Sequence, residues 1–335
     1  MKKLLIIVLL VLFYSLLGAS EIFDLPDLLS PHTMTIQGQD IYIAAKSQVF
    51  IYEYPNSLKK VFGKKGEGPG EFREYFDQGL LVSLEGNKIC VCSNGRISFF
   101  NKDCTFINEK KTGIGHTYSA FKNGLVGMRF YTEDNFACNH IVLVDNNMKL
   151  VKNLQKKIHW FQPGKSIDPV NVHNPRYSVM GDSIYTEDPE GQIHIFNSTG
   201  NNIGVARADY QRVEVSEKDQ AMYHEYYKNH KYYKDRYNEL KHLIKFPKHF
   251  PPVKFFDCSD NNIYVLTFVR KDGANEFFIF DKTGKFKRKL FVKMKDIPLQ
   301  EVNPLIRIAN HKVFQLFEDQ DEEIWQLFVT EIPNK

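Results

Sequence analysis

The stretch Ile263-Tyr264-Val265, then Phe277-Phe278-Ile279-Phe280, then Asp281-Lys282-Thr283-Gly284 carries the pattern that decides the fold. A short β-branched and aromatic run is a strand signal, and a second run after a brief polar gap is its hairpin partner. The four residues that follow read as a tight turn into a further strand. Asp or Asn at the first position can bond its own backbone two residues on, and Gly at the fourth tolerates positive φ.

The same arrangement occurs six times along the 335 residues. The first runs are Ile41-Tyr42-Ile43, Ile89-Cys90-Val91, Leu125-Val126, Ile184-Tyr185, Ile263-Tyr264-Val265 and Val313-Phe314; the second are 49–52, 97–100, 141–144, 193–196, 277–280 and 324–329. Three more second runs end in the same punctuation, Asn101-Lys102-Asp103-Cys104, Asp145-Asn146-Asn147-Met148 and Asn197-Ser198-Thr199-Gly200. Self-similarity at roughly 40 to 50 residues with four strands per unit is the signature of a β-propeller. The expected fold is all-β, a six-bladed propeller of four-stranded antiparallel blades, with blades at about 34–65, 79–111, 118–157, 177–213, 253–293 and 305–332. Too little chain follows the third strand of the last blade to form its outer strand, whereas 21–29 has no partner of its own. Pairing that segment onto blade six closes the ring and removes exposed edges.

Between Val215 and Pro247 the period of two gives way to helical spacing: Tyr223, Tyr226, His230, Tyr233, Tyr237, Leu240 and Ile244. Ser216 with Asp219 three residues on is a capping-box start, and Pro247 with Pro251-Pro252 a stop. The spacing predicts a helical insertion at about 216–246, between blades four and five. Its tyrosines either pack on the propeller or offer a partner surface, for which Tyr223, Tyr226, Tyr233 and Tyr237 are the candidates.

Residues 1–20 carry Lys2 and Lys3, an apolar stretch over 4–17 and Gly18-Ala19-Ser20, the pattern of a secretory signal too short to span a bilayer. The expectation is an exported protein, periplasmic or extracellular, whose residues 21–335 form a single domain with no membrane span. Without Lys2 and Lys3, 42 basic residues face 40 acidic ones, a formal charge of +2 that gives no footprint for nucleic acid. Cys90, Cys92, Cys104, Cys138 and Cys258 show neither disulfide-framework nor zinc-site spacing and read as small buried hydrophobes plus one turn residue; the spacing leaves a Cys92 to Cys104 bridge open.

The stretch 63–72, Gly-Lys-Lys-Gly-Glu-Gly-Pro-Gly-Glu-Phe, lacks the G-x-x-x-x-G-K-[ST] order of a phosphate loop. It reads as a crossover between blades, anchored by Phe72. This run after Val61-Phe62-Gly63, with the repeated Ile-Tyr-Val and Ile-Phe-Asp-x-x-Gly elements, resembles the exported bacterial six-bladed propellers related to NHL-repeat and TolB-like propellers. The resemblance covers nearly the whole mature chain. It implies the fold but no single activity, because that superfamily includes binding modules, lyases and calcium-dependent lactonases.

No G-x-S-x-G elbow supports a serine hydrolase. His32, His116 and Lys254 each stand nine residues before their blade's first run and Arg176 eight before, with Arg73 and Arg307 near the corresponding starts of blades two and six. Inner strands begin at one rim of the central channel, so these six side chains are candidates for a basic ring that attracts a small anionic ligand. The leading reading is a non-catalytic module that binds a ligand or another protein through the channel rim and the insertion, with no cofactor. The alternative is a lyase or lactonase with a divalent cation, such as calcium, in the channel.

Overall fold

The computed structural model describes residues 20–73, 79–122, 124–133, 136–158, 166–170, 175–299 and 304–333. Apart from Ser20, the leader expected at 1–20 lies outside them. The chain forms a six-bladed β-propeller in which every blade is a four-stranded antiparallel sheet. From the channel outward, blade one is β2 (Pro31–Gln37), β3 (Asp40–Ala45), β4 (Gln48–Glu53) and β5 (Ser57–Phe62). Blade two is β6 (Leu81–Glu85), β7 (Lys88–Ser93), β8 (Arg96–Asn101) and β9 (Phe106–Lys111). Blade three is β10 (Thr117–Phe121), β11 (Gly124–Glu133), β12 (Phe136–Asp145) and β13 (Leu150–Ile158). Blade four is β14 (Tyr177–Met180), β15 (Ser183–Glu187), β16 (Ile193–Phe196) and β17 (Asn202–Ala206). Blade five is β18 (Phe255–Ser259), β19 (Asn262–Lys271), β20 (Ala274–Asp281) and β21 (Phe286–Lys293). Blade six is β22 (Ile306–Ala309), β23 (Lys312–Asp319) and β24 (Ile324–Glu331), completed by β1 (Ser20–Leu25). β1 pairs antiparallel with β24, from Ser20 opposite Thr330 to Leu25 opposite Trp325, so the N-terminal segment closes the ring.

Each first run is the second strand of its blade and is covered on both faces. Its leading residue (Ile41, Ile89, Leu125, Ile184, Ile263, Val313) packs toward the preceding blade, and the next (Tyr42, Cys90, Val126, Tyr185, Tyr264, Phe314) toward the following one. Six apolar clusters therefore fill the six gaps between blades. That double burial explains why these strands read as unbroken apolar runs rather than alternating ones. The outer strands β5 and β9 are mostly exposed.

The four recurrent turns have the expected geometry. The fourth residue donates its N–H to the first carbonyl in each, Cys104 to Asn101, Met148 to Asp145, Gly200 to Asn197 and Gly284 to Asp281, at 2.9–3.0 Å. All four fourth residues have positive φ. In three turns the leading side chain accepts a backbone N–H two residues on, as with Asp281 Oδ1 and the Thr283 N–H at 2.9 Å. The blade-two turn differs, since there Asp103 accepts from Thr105 instead.

The 63–72 stretch is a crossover. Phe72 is fully buried between blades one and two, and Glu71 reaches back to the Gly68 N–H at 2.8 Å. Arg96 holds the loop through the carbonyl of Glu67 at 3.1 Å.

The insertion lies between β17 and β18, that is between blades four and five counted from β2, or five and six if the composite blade is counted first. Its helix α1 (Glu217–Asn229) starts with the expected Ser216/Asp219 capping box. The helical insertion expected over about 216–246 is present, but as separate helical pieces rather than one continuous helix. His230 is extended at φ −71° and ψ 131°, after which come a short 3-10 turn (Lys234–Arg236) and α2 (Tyr237–Leu240). The dense Tyr, Asn and His content around the break has low helix propensity, so tertiary packing decides. The chain folds back there, bringing the Tyr233 ring to 5.1 Å from that of Tyr227.

Candidate functional site

The six inner strands line a central channel of about 960 Å³. Strand pairing gives each blade one inner-strand residue directly opposite the second residue of the first run. Thr35 faces Tyr42, Ser83 faces Cys90, Ser119 faces Val126, Ser178 faces Tyr185, Asp257 faces Tyr264 and Arg307 faces Phe314. All six are polar and all six line the channel. The molecule thus carries a polar ring at one register: four hydroxyls, one carboxyl and one guanidinium.

Most of this ring laces one blade to the next. Ser83 Oγ accepts the Ala120 N–H at 3.1 Å, Ser119 Oγ meets the Tyr177 hydroxyl at 3.0 Å, and Ser178 Oγ donates to Asp257 Oδ1 at 3.1 Å. Asp257 also accepts the Cys258 N–H on Oδ1 and the Ile308 N–H on Oδ2, both at 2.9 Å. Between blades one and two the bridge is made by Thr33, two residues from Thr35; its hydroxyl donates to the Leu80 carbonyl and accepts from the Val82 N–H. From blade six to blade one, Asn310 Nδ2 donates to the Gly38 carbonyl at 2.9 Å. Burial raises the Asp257 carboxyl pKa above its ordinary value, against the opposing pull of Arg307 and of its hydrogen-bond donors.

Of the six cationic candidates, the structure brings His32, Arg176 and Arg307 to the channel lining; Arg73, His116 and Lys254 are elsewhere. Arg73 is held by Glu67, to whose carboxylate its Nε donates at 2.6 Å. The His116 ring lies over Gly113 with Nε2 3.4 Å from the Phe130 carbonyl, and burial lowers its pKa. Lys254 turns under the insertion, donating to the Ile297 carbonyl at 3.2 Å with its ammonium over the Phe268 ring. Burial, then the neighbouring Arg270 charge, pushes its pKa down to about 8. A spacing of eight or nine residues therefore does not mark one ring, because the approaches to the inner strands differ in path from blade to blade. The register six residues before the first run holds the polar ring, and it was the available signal for Ser83, Ser119, Ser178 and Asp257.

Within the channel the carboxylates Asp257 and Asp260 are taken up by hydrogen bonds, Asp260 Oδ2 accepting the His311 N–H at 3.0 Å. Arg176 is 12% exposed and pairs with Glu187 at 3.3 Å, leaving Nη2 buried without a partner among the described residues. Among the described residues no group of three or more His, Cys, Asp or Glu side chains is arranged to hold a metal ion.

The insertion packs on the rim where inner strands begin. Tyr223 is buried with Val170, Val215 and Phe250, beside Phe268 and Leu299, and its hydroxyl donates to the Leu299 carbonyl at 3.1 Å. Tyr227 is buried with Ile167 and Ile244, and Tyr233 and Tyr237 pack partly buried against them. Tyr223 is thus an anchor at 3% exposure rather than contact surface, whereas Tyr226 is 37%, Met222 40% and Tyr232 49% exposed. The stripe read through Tyr223, Tyr226, His230 and Tyr233 passes over Tyr227, four residues after Tyr223 on the same helix, and Tyr232, which lies past the true helix end.

No family model and no curated protein matches this chain. Among solved structures it is similar to a Bacteroides fragilis NCTC 9343 protein named for export, with a TM-score of 0.54, 13% identity, and coverage of 93% of this chain and 95% of that one. It is also similar to the Cps50 (Swd1) β-propeller domain of Myceliophteria thermophila (TM-score 0.41, 9% identity, 93% and 99% coverage). BamB from Moraxella catarrhalis gives a TM-score of 0.34 at 10% identity, over 90% of this chain and 73% of that one. At such identities the likeness to the first shows the fold alone. No helix among the described residues is long and apolar enough to cross a membrane.

Proposed function

We propose that the protein is an exported, non-catalytic binding module that takes a protein partner or a small anionic ligand at the channel rim and the helical insertion. One observation carries the reading. The insertion is fixed to the rim by buried Tyr223 and Tyr227 while Met222, Tyr226 and Tyr232 stay in solvent. Aromatic side chains with apolar bodies and polar tips on a rigid support suit protein recognition, and a propeller commonly serves as such a support. Export is supported by the leader pattern of 1–20 and by the name of the Bacteroides fragilis neighbour. Kinship with NHL-repeat and TolB-like propellers belongs to the same proposal and rests on the 66–72 run.

The test is affinity capture from the extracytoplasmic fraction of the source cells, comparing the intact protein with the double variant Tyr226→Ala, Tyr232→Ala, both checked by circular dichroism. A protein held by the first and released by the second supports the reading. Identical captured sets would remove the insertion from it.

A further inference from the structure

We infer that Arg307 is the recognition residue for a small oxyanion, a carboxylate or a phosphate, bound inside the central channel. The inference rests on the proposal that this face binds ligands and deepens it by naming a site and a ligand chemistry. Among the six register-equivalent channel residues, Ser83, Ser119, Ser178 and Asp257 bond to the next blade, and Thr33 does so in place of Thr35. Arg307 makes no such bond. Among the described residues its one hydrogen bond runs from Nη1 to the carbonyl of Ile306, its own chain neighbour, at 2.8 Å.

A guanidinium has five N–H donors in a planar fork that matches two oxygens of one anion. No carboxylate among the described residues lies within 4 Å of Arg307. The carboxyl group nearest in register, Asp257, already serves Ser178, Cys258 and Ile308. Arg307 lines the same channel as Asp257, Ser178 and Tyr177. Arg176, paired with Glu187 through Nη1 but with Nη2 unpartnered among the described residues, adds a second guanidinium to the same lining. The channel has room for a small molecule, and the Arg307 guanidinium that lines it pairs with no carboxylate among the described residues.

The experiment is isothermal titration calorimetry of the whole protein with inorganic phosphate and, separately, with succinate, at constant ionic strength with chloride as the control anion. The wild type is compared with Arg307→Gln and Arg307→Lys. The expected result is saturable binding of one probe, weakened about tenfold to a hundredfold in Arg307→Gln and less in Arg307→Lys, which keeps the charge but loses the fork. The probe that binds identifies phosphate or carboxylate as the ligand group. If Arg307→Gln does not fold, Arg307→Lys decides, and wild-type affinity in it would overturn the inference. Equal affinity in Arg307→Gln, or no binding of either probe by the wild type, would also overturn it. If the wild type ignores both anions yet still captures a partner through Tyr226 and Tyr232, the channel site fails and the binding-module reading stands.

Discussion

Ser178 on β14 donates its hydroxyl to Asp257 on β18 at 3.1 Å, joining two blades through a carboxyl group that also receives the Ile308 N–H from a third. Asp257 is 8% exposed, so its partners cannot turn to water when it is lost. Asp257→Ala leaves two backbone N–H groups and a hydroxyl short of an acceptor and should cost about 2–5 kcal/mol, at 1–3 kcal/mol per orphaned buried group with partial relaxation. Ser178→Ala removes one bond of several and should cost about 1 kcal/mol. Urea denaturation of the two variants checks the order.

Lys254 gives a pH signature. Its folded pKa of about 8 lies below the ordinary lysine value, so above pH 8 the unfolded chain binds more protons than the native one and stability rises with pH. That contribution is lost as pH falls through about 8. Between pH 8 and 9, wild type should gain relative to Lys254→Met by at most about 1.4 kcal/mol. Stability curves at both pH values test this, and a wild-type advantage that shrinks across the interval would contradict it.

Gly284 and Gly273 both have positive φ but differ in what surrounds them. A Cβ on Gly284 would lie 2.6 Å from the Val205 carbonyl oxygen, whereas one on Gly273 meets nothing within 4 Å. Gly273→Ala should cost about 1 kcal/mol of backbone strain. Gly284→Ala adds a clash with rigid backbone and should cost about 2–4 kcal/mol. Thermal melts should separate the two by several degrees.

Thiol chemistry should be confined to one residue. Cys90, Cys92, Cys138 and Cys258 are buried and Cys104 is partly exposed, with no bridge among the five. Burial pushes the Cys90 and Cys92 pKa values up to about 12, which removes the reactive thiolate at neutral pH. A chromogenic disulfide reagent should label Cys104 first in the native protein and the other four only on unfolding; Cys104→Ser should abolish the early phase.

The blades were legible because Ile263-Tyr264-Val265 and its equivalents serve two interfaces at once and recur at a regular period. The turns were legible because Asp281 and Gly284 have a local reason to be there. The insertion was half legible: Ser216 and Asp219 mark its start locally, but its break at His230 depends on Tyr227 meeting Tyr233, a contact that spacing does not encode. The candidate ring was legible least. His32, Arg176 and Arg307 reach the channel, yet Lys254 and His116 are diverted by the chain that covers them. Short polar residues such as Ser83 and Ser119 carry no distinctive signal until strand pairing puts them opposite Cys90 and Val126.

Because Ser20 lies opposite Thr330 in one sheet, the two ends of the fold are neighbours in space. Where the chain is cut is therefore nearly independent of the shape it makes. A permuted gene that links 332 to 20 through a few flexible residues and opens instead between β9 and β10 should give the same ring, with β1 and β24 now formed as a local hairpin. The closing contact would pass to the interface of blades two and three, where the new chain ends meet, and the β1–β24 pairing, now local, would become one of the fast steps.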